Sequence, residues 1–353
     1  RPGRPSTPLV GGLGRLGPSV PGSGRRQVPA ALWRTQSVDQ RSAPGESGRR
    51  QDNPPEQLAG LARRSTAYST SRAPPITAAK KERSMSTPQE NPRLEQIKRN
   101  WQQKRQITGR LSKIGTKIGV YSGKGGVGKT TIAVNLAVTL AQEGKLVGLL
   151  DVDIDCPNAT RVLGIADKPD FVDGQILPSQ QWGVKVVSMA FFQENEEEAI
   201  IWRGPMIHNA INQFLEITEW GELDYLVVDL PPGTSDAPLT IMQTLPMDGF
   251  VVVSTPQQLA NLDAKRCINM IRKLNLNILG IVENYSGEIF GEGAGKLLAQ
   301  DTEAPFLGSI ALRSSYQDNS KPTTLVDPAV GEEYARLAEE VKKSLREMGR
   351  EAA

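Results

Sequence analysis

Histidine occurs once in this sequence, at position 208, and cysteine twice, at 156 and 267. One imidazole leaves no histidine-based metal site and no support for a Ser-His-Asp mechanism. Two cysteines cannot form a disulfide framework, and their scarcity fits a reducing compartment. No apolar run approaches the roughly 18–20 residues needed to span a bilayer, and no stretch reads as a secretory signal. Internal repeats are also absent. These absences lead us to expect a soluble intracellular body, cytoplasmic in the first instance.

Acidic residues are scarce in the first 84 positions, 5 against 15 Lys and Arg, and the same segment holds 11 Pro and 10 Gly. That stands at the threshold of a low-complexity composition. Three readings stay open for it. It is non-native sequence ahead of an ordinary initiation at Met85, or a disordered interaction arm, or a transit peptide, which would move the protein to an organellar matrix. Residues 85–353 carry 27 basic and 34 acidic groups, so the net +3 of the whole chain hides an acidic body. The basic balance belongs to the tail alone. Nothing in the charge of the body favours nucleic acid or an anionic membrane as a partner.

Residues 85–114 form a basic helical lead-in, with no breaker between Pro92 and Gly109. From Lys117 short apolar runs alternate with helical periods, which predicts a parallel sheet covered by helices. The strand candidates are KIGVYS, KLVGLLD, VKVVSMA, DYLVVDL, GFVVVS, NILGIVEN and PFLGSI. Helices are expected over Lys129–Glu143, stopped by Gly144, and over Gln257–Leu274, with Leu259, Leu262, Ile268, Ile271 and Leu274 on the apolar face. Near the end, Tyr334, Leu337, Ala338, Val341 and Leu345 share one helical face, a stripe suited to docking on a core.

Gly123-Lys124-Gly125-Gly126-Val127-Gly128-Lys129-Thr130 satisfies G-x-x-x-x-G-K-[ST] in full. Glycines let backbone N–H groups turn inward around a phosphate. Lys129 supplies a point charge to the β and γ oxygens of ATP, the Thr130 hydroxyl is placed to ligate Mg²⁺, and Thr131 follows in the first helical turn. The loop lies between a predicted strand and a predicted helix, whose positive end favours the anion. Walker A spacing sets aside a dehydrogenase reading. Residues 115–353 thus read as a P-loop ATPase domain.

Two carboxylate sites accompany the loop. The DYLVVDL run ends in Asp229, as a Walker B position requires, a carboxylate at the carboxyl edge of a buried strand and close to the metal. Pro231, Pro232 and Gly233 then turn the chain as a switch loop able to sense a γ-phosphate. At the second site, in LLDVDIDCPN, Asp151 ends a strand near the metal shell and Asp155 starts a turn.

The loop KGGVGKTT resembles the deviant Walker A of MinD/ParA-type ATPases. That resemblance implies that Lys124 reaches across a dimer interface to the phosphates held by the opposite subunit. It also puts Asp153 in a switch segment that orients the attacking water or supports Mg²⁺. DVDIDCPN, WRGPMI, WGELDYLVVDLPPGTSDAPLT and Val251–Asn284 resemble, more narrowly, the Mrp/ApbC-type P-loop ATPases, which carry iron–sulfur clusters. The resemblance covers roughly Ile118 to Leu325. It implies a MinD-like α/β fold with a mostly parallel twisted sheet, ATP binding and hydrolysis at a slow rate, a homodimer, and Asn284 on the adenine edge. It further implies iron–sulfur scaffold or apo-protein clients.

In that family the stretch after the equivalent of Glu283-Asn284 carries a C-x-x-C insert, and four thiolates across the dimer would hold one [4Fe–4S] cluster. Here Val282–Gly295 reads VENYSGEIFGEGAG, with no cysteine. Cys156 beside the acidic switch and Cys267 within a helix read as ordinary free thiols, so we identify no cluster ligand. Two functions follow. One is an ATPase of the cluster-carrier family. The other is a MinD/ParA-like dimer whose ATP state controls attachment to a protein or surface partner.

Overall fold

The computed structural model describes residues 92–192, 204–318 and 320–350. The N-terminal tail, the lead-in before Pro92, and Trp202-Arg203 of the WRGPMI motif lie outside them. The described part opens with one helix.

That helix is α1 (Pro92–Leu111). It is followed by β1 (Ile114–Ser122), α2 (Lys129–Gln142), β2 (Val147–Asp151), α3 (Ala159–Leu163), β3 (Asp170–Val172), β4 (Gln175–Leu177), β5 (Ser179–Gln181) and β6 (Val184–Ser188). Then come α4 (Gly204–Ile217), β7 (Leu223–Asp229), α5 (Asp236–Thr244), β8 (Gly249–Ser254), α6 (Gln258–Lys273), β9 (Ile278–Ser286), α7 (Ala294–Asp301), β10 (Phe306–Ala311) and α8 (Pro328–Glu347).

All seven predicted strands form, as β1, β2 and β6–β10, in one eight-stranded sheet of order β10-β9-β8-β1-β7-β2-β6-β5. Their pairings are parallel, and only β5, at one edge, runs antiparallel to β6. Strands buried on both faces need apolar residues at successive positions, which is why these runs are unbroken rather than alternating. Odd and even residues then feed opposite cores. In β7, Leu226 and Val228 join one core with residues of α1, α4, α5, α6 and α7. Tyr225 and Val227 join the other with α2, α3 and α8.

The α8 stripe docks as predicted, with Tyr334, Leu337, Ala338, Val341 and Leu345 buried. In α6 the expected apolar face is corrected at two residues. Leu259 and Leu262 are 73% and 50% exposed, while Ile268 and Ile271 are buried as expected, together with Ala260, Ala264 and Cys267. At this end of α6 the buried face is carried by the small residues Ala260 and Ala264, and the two leucines stand on the face turned away from it. No helix among the described residues is long and apolar enough to cross a membrane.

Candidate active site

Strand β1 is where the sheet changes direction, with β7, β2, β6 and β5 on one side and β8, β9 and β10 on the other. In open α/β sheets the crevice at such a point, beyond the carboxyl ends of the strands, takes the ligand. The glycine loop leaves β1 there and enters α2. Gly128 caps α2 at φ 81°, with no side-chain cap and no acidic residue in the first turn, so the positive end of the helix is free for an anion. A β-carbon on Gly128 would fall 2.1 Å from Asn284 Nδ2. Asn284, buried on β9, uses that nitrogen to donate to the Val127 carbonyl at 2.8 Å.

Register places the acids. Asp229 on β7 lies beside Val120 of β1 and beside Asp151 of β2. Lys129, the first residue of α2, reaches down to them. Its ammonium is 2.6 Å from Asp229 Oδ1 and 3.4 Å from Asp153 Oδ2, with all three side chains buried. Burial pulls the Lys129 pKa down, but Asp229, Asp153 and Asp151 outweigh it and hold the group charged. Asp151 is fixed on every side. It accepts from the Asp153 amide at 3.1 Å, the Ala159 amide at 3.2 Å and the Ser188 hydroxyl at 2.9 Å. Burial first, and Asp229 second, push its carboxyl up to about 7. Burial likewise raises Asp153, against the pull of Lys129.

Asp229 Oδ2 is buried and has no hydrogen-bond partner among the described residues. An unpaired buried acceptor costs about 1–3 kcal/mol, more when charged. At the carboxyl edge of the sheet, one strand from the glycine loop, it fits a divalent cation or a cation-bound water.

A family model described as ParA, NUBPL iron-transfer P-loop NTPase, matches residues 113–346. The chain belongs to that family. It is 41% identical to the iron-sulfur cluster carrier protein of Methanocaldococcus jannaschii over 256 residues, 68% of this chain and 88% of that one. Against the iron-sulfur cluster transfer protein NUBPL of Dictyostelium discoideum it is 41% identical over 246 residues, 65% of this chain and 76% of the other. Among solved structures, a nucleotide-binding protein of Archaeoglobus fulgidus in complex with ADP has a TM-score of 0.55 at 38% identity, covering 62% of this chain and 90% of that chain. The cell-division ATPase MinD of Pyrococcus furiosus, at 24% identity and a TM-score of 0.53, shares the fold.

The remaining predicted residues of this P-loop NTPase lie around the same crevice. Gly123 leads into the loop, Gly125 and Gly126 are exposed at its turn, and Val127 is buried beneath it. Thr130 and Thr131 are half-buried in the first turn of α2. Lys124 points the other way, its ammonium 3.4 Å from Gln257 Oε1 near the surface. Asp155 is exposed in the bend after β2.

The cysteines are not brought together with other ligands. Cys156 is exposed and Cys267 buried. Burial pushes the Cys267 thiol up to about 11, the reverse of what a thiolate ligand needs. Among the described residues no group of three or more His, Cys, Asp or Glu side chains could hold a metal ion. The residues present do not fit a Cys₄ cluster.

Sequence reasoning missed the wall facing the loop. A cavity of about 660 Å³ is lined by residues 124–127 and by Thr255, Tyr285, Phe290, Leu312 and Tyr316. The Thr255 hydroxyl is buried without a partner among the described residues. Tyr285 lies in the last residues of β9 and the others follow β8, β9 and β10, so their one signal was position at the carboxyl ends of predicted strands. A second missed device closes the β9–α7 connection. Buried Glu283 accepts from the Gly293 amide at 2.9 Å and the Gly295 amide at 2.6 Å. Gly287 and Gly291 exchange two backbone bonds of 2.9 and 2.8 Å.

Proposed function

We propose that the protein is a Mg²⁺-dependent ATPase that acts as a homodimer in iron–sulfur cluster assembly, in a reducing compartment. The observation that carries the reading is Lys129, buried and charged between Asp229 and Asp153 at the start of an uncapped helix. An ammonium held this way beside a glycine loop has one evident use, to neutralise phosphate oxygens.

In this reading the loop amides and Lys129 bind the β- and γ-phosphates. Thr130 and Asp229, with Asp153 in support, would hold Mg²⁺, which adds positive charge against the developing negative charge of the transferred phosphoryl group. Asp153 orients the attacking water. Asp151, itself held by the Ala159 amide and the Ser188 hydroxyl, keeps Asp153 in place by accepting from its backbone amide. Asn284, its NH₂ committed to Val127, keeps its carbonyl oxygen for the adenine amino group. Lys124 completes the charge field from the partner subunit. Catalysis is then mostly positioning and electrostatics.

Calorimetry with MgATP tests the core of this. The parent protein should bind with a magnesium-dependent signal, and Lys129→Ala should lose at least tenfold in affinity, about 1.4 kcal/mol. No uptake by the parent would end the reading.

The role in cluster assembly rests on the relatives' names, and the chain's own cysteines do not supply the ligands. That mismatch favours a second reading, an ATP-switched dimer that controls attachment of a partner. Anaerobic reconstitution with iron and sulfide separates the two. Iron near zero with turnover intact supports the switch, and about four irons per dimer, the content of one Cys₄-bound [4Fe–4S] cluster, supports the carrier.

A further inference from the structure

The switch loop after β7 is anchored at one residue. Leu230 still donates to the Val120 carbonyl of the sheet at 3.1 Å. Pro231 and Pro232 have no N–H, so Gly233 carries the first backbone donor beyond the sheet. That N–H bonds to the carbonyl of Ser122, the last residue of β1, at 2.9 Å. The loop lies close to the phosphate loop. β-Carbon positions built on Gly125 and Gly233 fall 4.0 Å from Pro232 Cγ and from the Gly123 carbonyl.

The Gly233 carbonyl accepts a hydrogen bond from the Tyr121 hydroxyl. Tyr121 is wholly buried on β1, and its hydroxyl is also 3.6 Å from Met270 Sδ on α6. Burial raises its pKa, so the phenol stays a donor. The N–H and the C=O of Gly233 belong to different peptide planes, joined by a residue at φ 85°, where glycine turns freely and other residues are strained. Rotation there can swing the N–H away from Ser122 while the carbonyl stays on Tyr121.

We propose that Tyr121 is a positioning residue, a fixed post about which the switch loop turns its Gly233 N–H between the Ser122 carbonyl and the terminal phosphate of a nucleoside triphosphate. This rests on the ATPase reading above. It assigns discrimination between tri- and diphosphate to a phenol that touches neither.

Tyr121→Phe removes the hydroxyl and keeps the ring. ADP affinity should stay within about twofold of the parent. The preference for a non-hydrolysable ATP analogue over ADP, and kcat, should each fall about tenfold, the scale of one hydrogen bond, with KM for ATP rising in step with the lost affinity because turnover is slow. A residue that only packs would lower the melting temperature and leave that preference alone. An unchanged preference and kcat in a folded Tyr121→Phe protein would overturn the proposal.

Hydrogen exchange on the parent protein gives a test that needs no variant. The Gly233–Thr234 amides should exchange differently with the analogue than with ADP, and equal exchange in both also overturns it. Should the parent bind neither nucleotide, the ATPase reading falls and takes this role with it. Binding of both with equal preference in the two proteins removes the Tyr121 role alone.

Discussion

Cys156 and Cys267 differ in surroundings more than in chemistry, and that difference is measurable. Cys156 is open to solvent and Cys267 wholly enclosed, its thiol pushed up to about 11. The thiolate is the reactive form, so at pH 8 a thiol reagent should count one fast cysteine in the folded protein and two after denaturation. Two fast thiols in the folded state would contradict the placement of α6. Charge gives a second prediction at this scale. Lys129→Ala leaves buried Asp229, Asp153 and Asp151 without their cation. Breaking such a pair costs about 3–5 kcal/mol, so the ligand-free variant should melt well below the parent, a loss that Lys124→Ala should not share because its partner is a neutral amide near the surface. At this scale the glycine loop, Lys129 and Asp229 were legible because each chemistry demands a particular residue at a particular spacing. Tyr121, Thr255 and Glu283 were not, since each acts through a neighbour brought up by the sheet.

Helices and strands were legible where burial is simple. The sheet runs were readable because strands covered on both faces must be apolar throughout. The α8 stripe was readable because one face meets one core. In α6 the periodicity misled at Leu259 and Leu262, because there small residues, Ala260 and Ala264, carry the buried face and hydrophobicity alone does not report them. Stability measurements separate the two situations. Leu337→Ala in α8 should cost about 2–5 kcal/mol in urea unfolding, while Leu259→Ser should stay within about 0.5 kcal/mol. The short strands β3, β4 and β5 escaped notice because three residues carry no detectable period.

For the molecule as a whole, the decisive step is association. If Lys124 acts across a dimer, Lys124→Ala should abolish ATP-dependent dimerisation in sedimentation and stop turnover, with nucleotide affinity largely kept. Equal turnover in the variant and the parent would defeat the trans-acting role. The order of strands explains why such a dimer would be productive, since every loop that reaches the crevice leaves the same edge of one sheet. The β9–α7 connection has a consequence of its own. Glu283 fastens the far end of that connection to the strand it departs from, so both banks stand fixed whatever chain spans them. A family-type cysteine segment spliced after Ser286 would lengthen the span at little entropic cost, about 0.6 kcal/mol for each doubling. The fold should therefore accept such a graft with little change in melting temperature, which makes this junction an exchangeable socket and cargo capacity a property that can be added without redesigning the motor.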